Sequence, residues 1–109
     1  MADTRRCTAA TRAGRLAKAR QFHVAAETIE TIVDDREIAD AYVTLCVHAG
    51  IAAADVITCA KLGQHHSGDD HLGAVALLAT IDKTASKNLA TLLGMKTRAG
   101  YSASVTVED

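Results

Sequence analysis

Proline is missing from this chain of 109 residues, tryptophan is missing too, and the aromatics amount to Phe22, Tyr42 and Tyr101. Without proline nothing in the covalent chain interrupts a long helix. Without aromatics the core must be built from aliphatic side chains and alanine, which favours thin, closely packed helices over a sandwich of sheets. An excess of charge is lacking as well: the formal net charge is −1, whereas a general nucleic-acid or membrane binder is strongly basic. Cysteines are few and odd in number, Cys7, Cys46 and Cys59, with no CxxC spacing, so neither a disulfide framework nor a zinc knuckle is expected and the cytoplasm is the natural compartment. No run of eighteen apolar residues is free of charge, and no apolar run follows the charged N-terminus, so neither a membrane span nor a secretion signal is expected.

What the chain does have is Asp40–Gly63, the stretch around which the rest must be arranged. Ile38, Tyr42, Leu45, Ala49, Ala52, Val56 and Cys59 recur at intervals of four and three, the spacing of one helix face. Val43, Val47, Gly50, Ala54 and Ile57 form a second apolar row, leaving a thin polar stripe through Thr44, His48, Asp55 and Thr58. A helix apolar on two sides has neighbours on two sides, and the small residues between Ala49 and Asp55 let those neighbours approach closely. The fold class expected is all-α, an antiparallel up-and-down four-helix bundle forming one domain over residues 1–109, with 1–8 and 103–109 as ragged termini.

The other helices are set by their punctuation. A first helix starts near Thr8 or Thr11 and runs to about Val33, its inward seam being Ala19, Phe22, Ala26, Ile29 and Val33. Asp34 or Asp35 ends it and caps the central helix, a connection short enough to force the pair antiparallel. Gly63 is the expected left-handed cap of the central helix, and Gln64 to Gly68 the loop after it. Ser67-x-x-Asp70 reads as a capping box for a third helix carrying Leu72, Val75, Leu78 and Ile81 inward. Asp82 or Thr84 caps a fourth, with Ala85, Leu89, Leu92, Lys96 and Ala99 as its seam and Gly100 as its stop; Gly94 inside it allows a close contact or marks a kink.

Three groups of residues are candidates for a site. His65, His66, Asp69, Asp70 and His71 gather five potential metal ligands in seven positions, but none of them has the i,i+4 spacing of a zincin pair and the loop has no thiolate; a solvated loop is the plainer reading. Asp55 stands in an alanine-rich buried stretch and needs a partner from another helix, either to tie two helices together or to serve a site, and His48, about 10 Å away along the same side, cannot be it. Lys96, Arg98 and Tyr101 crowd the end of the fourth helix, where they suit a Schellman cap and the negative end of the dipole, or present donors to a phosphate beside Asp55. Two further patterns have bland readings: His23 and Glu27 make a surface i,i+4 pair, and the six basic residues Arg5, Arg6, Arg12, Arg15, Lys18 and Arg20 form a solvated face or meet phosphate.

Taken in order, IAAADVITCAKLG at Ile51–Gly63, GDDHLGAVALL at Gly68–Leu78 and LLGMKTRAGYS at Leu92–Ser102 resemble the HEPN superfamily, particularly its small actinobacterial-type members, over about His23 to Ser102. The resemblance implies a helical bundle, commonly dimeric, in a family associated with RNA cleavage and with toxin–antitoxin or nucleotidyltransferase pairs. Family ribonucleases carry an arginine, four to six variable residues and a histidine near the end of a late helix; here Lys96 and Tyr101 stand at those positions. Lysine lacks the guanidinium fork, and a phenol is a poor base at neutral pH beside an imidazole. The expectation is therefore a non-catalytic, cofactor-free binding module, a homodimer, in which Asp55, His71, Lys96, Arg98 and Tyr101 surround a pocket or interface for RNA, a nucleotide or a protein. The alternatives are a degenerate ribonuclease or other phosphoryl-handling enzyme, with His71 or His48 as base and Lys96 and Arg98 on phosphate, and a metal-binding bundle.

Overall fold

The computed structural model describes residues 4–32, 39–68 and 70–101, with side chains for all of these but 32, 39 and 96–101. Val33, Asp34, Asp35, Ile38, Asp69 and residues 103–109, each of which carries one of the expectations, lie outside the described residues. The chain is all-α in its main elements: β1 (Thr4–Arg6), α1 (Ala9–Ile32), α2 (Ala39–Leu62), β2 (Gln64–His66), α3 (His71–Ala79) and α4 (Lys83–Tyr101).

α1 begins where Thr8 accepts a hydrogen bond from the Thr11 amide at 3.1 Å, satisfying one of the amides a helix start leaves unpaired. It runs antiparallel to α2: Glu30 meets Tyr42, Phe22 meets His48, Arg15 meets Asp55 and Cys7 meets Cys59, a series in which one number falls as the other rises. α1 packs on α2 and hardly on α3 or α4, which pack on another side of α2. Only Ala41, His48, Ala60, Lys61 and Leu62 of α2's described side chains are exposed, so its apolarity belongs to a helix covered on more than one side. By length and composition alone Asp40–Leu62 is apolar enough to cross a membrane, with a mean hydropathy of 1.7, although it carries charges.

The two apolar rows of α2 are not equal. Val43, Val47 and Ala54, from the row read as secondary, are buried, because that side meets the large aliphatics of α3 and α4. Among the described residues of the other row, which was named first, only Ala52 and Cys59 are buried; Tyr42, Leu45, Ala49 and Val56 are half-covered. Within the polar stripe Asp55 is buried, as its alanine-rich surroundings led one to expect, and so is Thr58, whose hydroxyl donates to the Asp55 carbonyl at 3.3 Å.

Gly63 takes the left-handed conformation, φ +70°, and its amide donates to the Cys59 carbonyl at 3.0 Å, closing α2 as expected. The residues after it do not form a loop. Gln64–His66 pairs antiparallel with Thr4–Arg6, in the register Thr4 to His66, Arg5 to His65 and Arg6 to Gln64, and the Cys7 amide extends the ladder to the Gly63 carbonyl at 2.9 Å. So residues 4–7 are not a ragged terminus, and Cys7 and Cys59, which showed no pairing pattern, form a disulfide with Cα atoms 5.6 Å apart. The turn at Gly63 sends the chain back past its own last helical turn, and that brings a residue 52 positions away within reach.

α3 is capped by Asp70 itself, whose carboxylate accepts from the Leu72 amide at 2.9 Å; Ser67 stands too far ahead of His71 to cap it. The helix then buries Ala74 and Leu78, and Leu72, two residues before Ala74 and thus about 200° round the helix, is exposed rather than inward. Asp82 caps α4 through the Ala85 amide at 2.9 Å. α4 continues through Gly100 to Tyr101, so Gly100 is not its stop; a helical glycine costs only about 1 kcal/mol against alanine and ends a helix only where the chain turns left-handed.

A Cβ added at Gly94 would meet nothing within 4 Å, so this glycine makes no close contact. Gly94→Ala should raise the unfolding free energy by about 0.5–1 kcal/mol, whereas Gly63→Ala, forced to a positive φ, should lower it by about 1 kcal/mol. Urea denaturation followed by circular dichroism measures both.

Candidate functional site

The buried carboxylate of Asp55 organises the end of the molecule where α2 runs into the β ribbon. Its residue is 6% exposed, and its Oδ2 lies 3.5 Å from Arg15 Nε of α1. That distance is long for a charge-assisted hydrogen bond, so Arg15 offsets the charge without clamping it. Burial pushes the Asp55 carboxyl above the usual carboxylate range; Arg15, His65, His66 and His71 pull the other way.

These residues line a cavity of about 300 Å³ together with Arg5, Ser67 and Gly68, over an apolar wall of Ile51 and Ala74. Each element supplies its part for a local reason. β1 carries Arg5 opposite His65 in the ribbon register. His65 is 5% exposed, and its Nδ1 donates to the His66 carbonyl at 2.7 Å, so in the neutral ring Nε2 carries the lone pair. His66 has both ring nitrogens buried without a hydrogen-bond partner. Its imidazole lies against Gly73, where any Cβ would collide with the ring, so the glycine in the first turn of α3 makes the space. His71 opens α3 beside them, half-buried.

Two cationic guanidiniums and three imidazoles thus face one carboxylate that burial already disfavours as an anion. Such a surround suits a ligand rich in negative oxygen. Among the described residues no three histidine, cysteine, aspartate or glutamate side chains converge as a metal-ligand set, and Asp70 caps α3.

No known family's pattern matches the chain, and no curated protein or solved structure matches it either.

Of the five residues expected to share a site, the fold brings Asp55 and His71 together. Lys96, Arg98 and Tyr101 belong to the last turns of α4, which adjoin the first turns of α2: Met95 packs with Val43 and Val47. Asp55 is eight to twelve residues farther along α2 than these contacts, and the side chains of Lys96, Arg98 and Tyr101 lie outside the described residues. His48 is elsewhere again, stacked on Phe22 with ring centroids 5.0 Å apart. His23 and Glu27 form the exposed pair expected, at 3.3 Å.

Sequence reasoning placed Arg15 and Arg5 only among the basic residues of the N-terminal region and not in a site. Arg15 had a readable signal, since Thr11, Arg15, Ala19, Phe22 and Ala26 continue one seam at helical spacing and put a charge on the inward row. Arg5 had none, because its place depends on a pairing across 60 residues. A second concavity, about 500 Å³ and apolar, lies between α1 at Ala19 and Ala26 and α4 at Leu92, floored by Cys46, Ala49, Gly50 and Ala53.

Arg15→Ala should destabilise the fold by about 1–2 kcal/mol, less than for a fully enclosed pair because the Arg15 side chain is 36% exposed, and should cost much less in an Asp55→Asn background. Since burial raises the folded pKa of Asp55, its contribution to stability is complete below its unfolded pKa and is lost as pH rises through the folded one. Asp55→Asn should therefore gain on the parent protein between about pH 4 and neutrality. Parallel urea melts across that range give the answer, and a difference that stays flat or narrows would contradict the burial argument.

Proposed function

We propose that this chain is a non-catalytic binding module whose pocket at the β ribbon takes the phosphate of a nucleotide or of RNA. The observation that carries the reading is the convergence of Arg5, Arg15, His65, His66 and His71 on one cavity in a chain whose formal net charge is −1. A local cationic concentration in a nearly neutral protein is the mark of a particular anion and not of a general polyanion binder. At about 300 Å³ the cavity is at the small end of ligand sites, which fits a phosphate with part of its sugar, longer chains leaving through the open mouth.

The reading keeps Asp55 and His71 from the expected site and replaces Lys96, Arg98 and Tyr101 with Arg5, Arg15 and the ribbon histidines. It is compatible with a HEPN-like antiparallel bundle. The helix order supports that kinship, and so does α1 lying antiparallel on α2. A homodimer belongs to the same proposal, with the apolar groove between α1 and α4 as the seat for the second copy.

Isothermal titration with inorganic phosphate, a nucleoside monophosphate and a short single-stranded RNA tests the site. Binding should weaken with salt and fall about tenfold in Arg5→Gln and in His71→Ala, one charge-assisted contact being of that size. Gly73→Ala should also weaken it, by pushing the His66 ring aside while leaving the helical circular dichroism intact. Absence of binding by all three probes, or affinities untouched by these substitutions, would overturn the proposal.

A further inference from the structure

One wall of the anion pocket is carried by a piece of chain with few attachments. All three residues of β1 are exposed, so the strand buries no side chain of its own, and among the described elements its packing is chiefly on β2. A three-residue strand that buries none of its own side chains is held only weakly by its ladder hydrogen bonds. Immediately after it, however, Cys7 is bonded to Cys59, a buried residue in the last turn of α2. The covalent link is thus what keeps Arg5 over Asp55 and His65.

We infer that the Cys7–Cys59 disulfide is a redox-controlled tether of the anion pocket: oxidised, it holds Arg5 in the ligand's path, and reduced, it lets β1 and Arg5 leave. The inference rests on the proposed phosphate binding for its consequence, but not for its mechanism. The reductant is a dithiol. One of its thiolates attacks the Cys7 sulfur, the more accessible of the two, breaking the Cys7–Cys59 bond and expelling the Cys59 sulfur, which takes up a proton. The second dithiol sulfur then displaces Cys7 from the mixed disulfide. Two electrons and two protons pass from the dithiol to the protein, leaving a cyclic disulfide and two cysteine thiols.

The helices have no stake in the exchange. A buried cysteine thiol packs as a small apolar group, so Cys59 stays within the core of α2 after reduction. Arg15, Asp55 and His71 sit on α1, α2 and α3, which reduction does not unlink, and the pocket persists with one guanidinium fewer. Cys46, the remaining thiol, is thirteen residues from Cys59 on the same helix, about 20 Å along it, and cannot take Cys7 as a partner in its place.

The test compares oxidised protein with protein held in dithiothreitol, by phosphate titration and by amide hydrogen exchange. Reduction should lower phosphate affinity roughly tenfold, Cys7→Ser should reproduce the loss without reductant, and Arg5→Gln should show the same weakened affinity in both redox states. Exchange protection in residues 4–7 and 64–66 should disappear on reduction while that of α2 and α4 is retained. Equal affinity and equal ribbon protection in the two states would overturn the tether, as would loss of helical protection along with the ribbon's. Loss of ribbon protection on reduction in a protein that never binds phosphate would sustain the tether and reject the anion site.

Discussion

A carboxylate placed deep in the helix that all the others touch is the constraint on which the arrangement of this protein depends. Left alone, Asp55 would cost several kcal/mol, because nothing in an alanine-rich interior replaces its lost water. α1 must therefore slide to the register that brings Arg15 to it, and that register is the one in which Phe22 reaches His48 and Tyr42 donates to Glu30. The same charge favours imidazoles on the ribbon and on the first residue of α3. Packing alone would not fix these choices, since the contact between α1 and α2 runs over alanines and glycine that tolerate sliding.

The other end of the constraint is covalent. α2 stops at Gly63 because a glycine can turn left-handed there, and the turn lays Gln64–His66 back beside the incoming chain. Cys7 and Cys59 then lock the start of α1 to the end of α2, so the two long helices are joined at both ends of their hairpin. Such a bond persists in oxidising surroundings and is reduced by the dithiol pool of a cytosol. The cytoplasmic expectation and the disulfide are reconciled if the bond is a reversible one, which is also what its lightly held strand suggests.

Local signals in the sequence were legible where the physics is local. Thr8, Asp82 and Gly63 mark helix ends because each satisfies backbone groups within four residues of itself, and two apolar rows on α2 announce two sets of neighbours. The reading failed where partners lie far apart in the chain. Neither the ribbon nor the disulfide has a local signature, so residues 4–7 looked ragged and the three cysteines unpaired. Leu72 looked inward because hydrophobicity was allowed to set the phase of a nine-residue helix, whereas Ala74 and Leu78 set it by packing on Ala54 and Leu89. The site was half legible for the same reason: Asp55 demanded a partner, His71 was in the right segment, but which cations would come could not be known before the helices were put in register. The α4 turn was attractive as a cluster of donors, and the helix that carries it packs its Met95 on Val43 and Val47, in the first half of α2.

Whether Asp55 merely ties helices together or serves a site can be argued from the number of cations about it. One guanidinium suffices to neutralise one carboxylate, and a purely structural tie would draw Arg15 closer than 3.5 Å and exclude further positive groups that must themselves be desolvated. Instead Arg5, a second guanidinium, shares the cavity with three imidazoles, and both ring nitrogens of His66 are kept from water with no partner among the described residues. Burying an unsatisfied imidazole beside a second guanidinium stabilises nothing by itself. A ligand with anionic oxygens would offset the second guanidinium and accept from the N–H of the His66 ring, and in that sense the arrangement fits the proposed binding site better than an internal salt bridge alone.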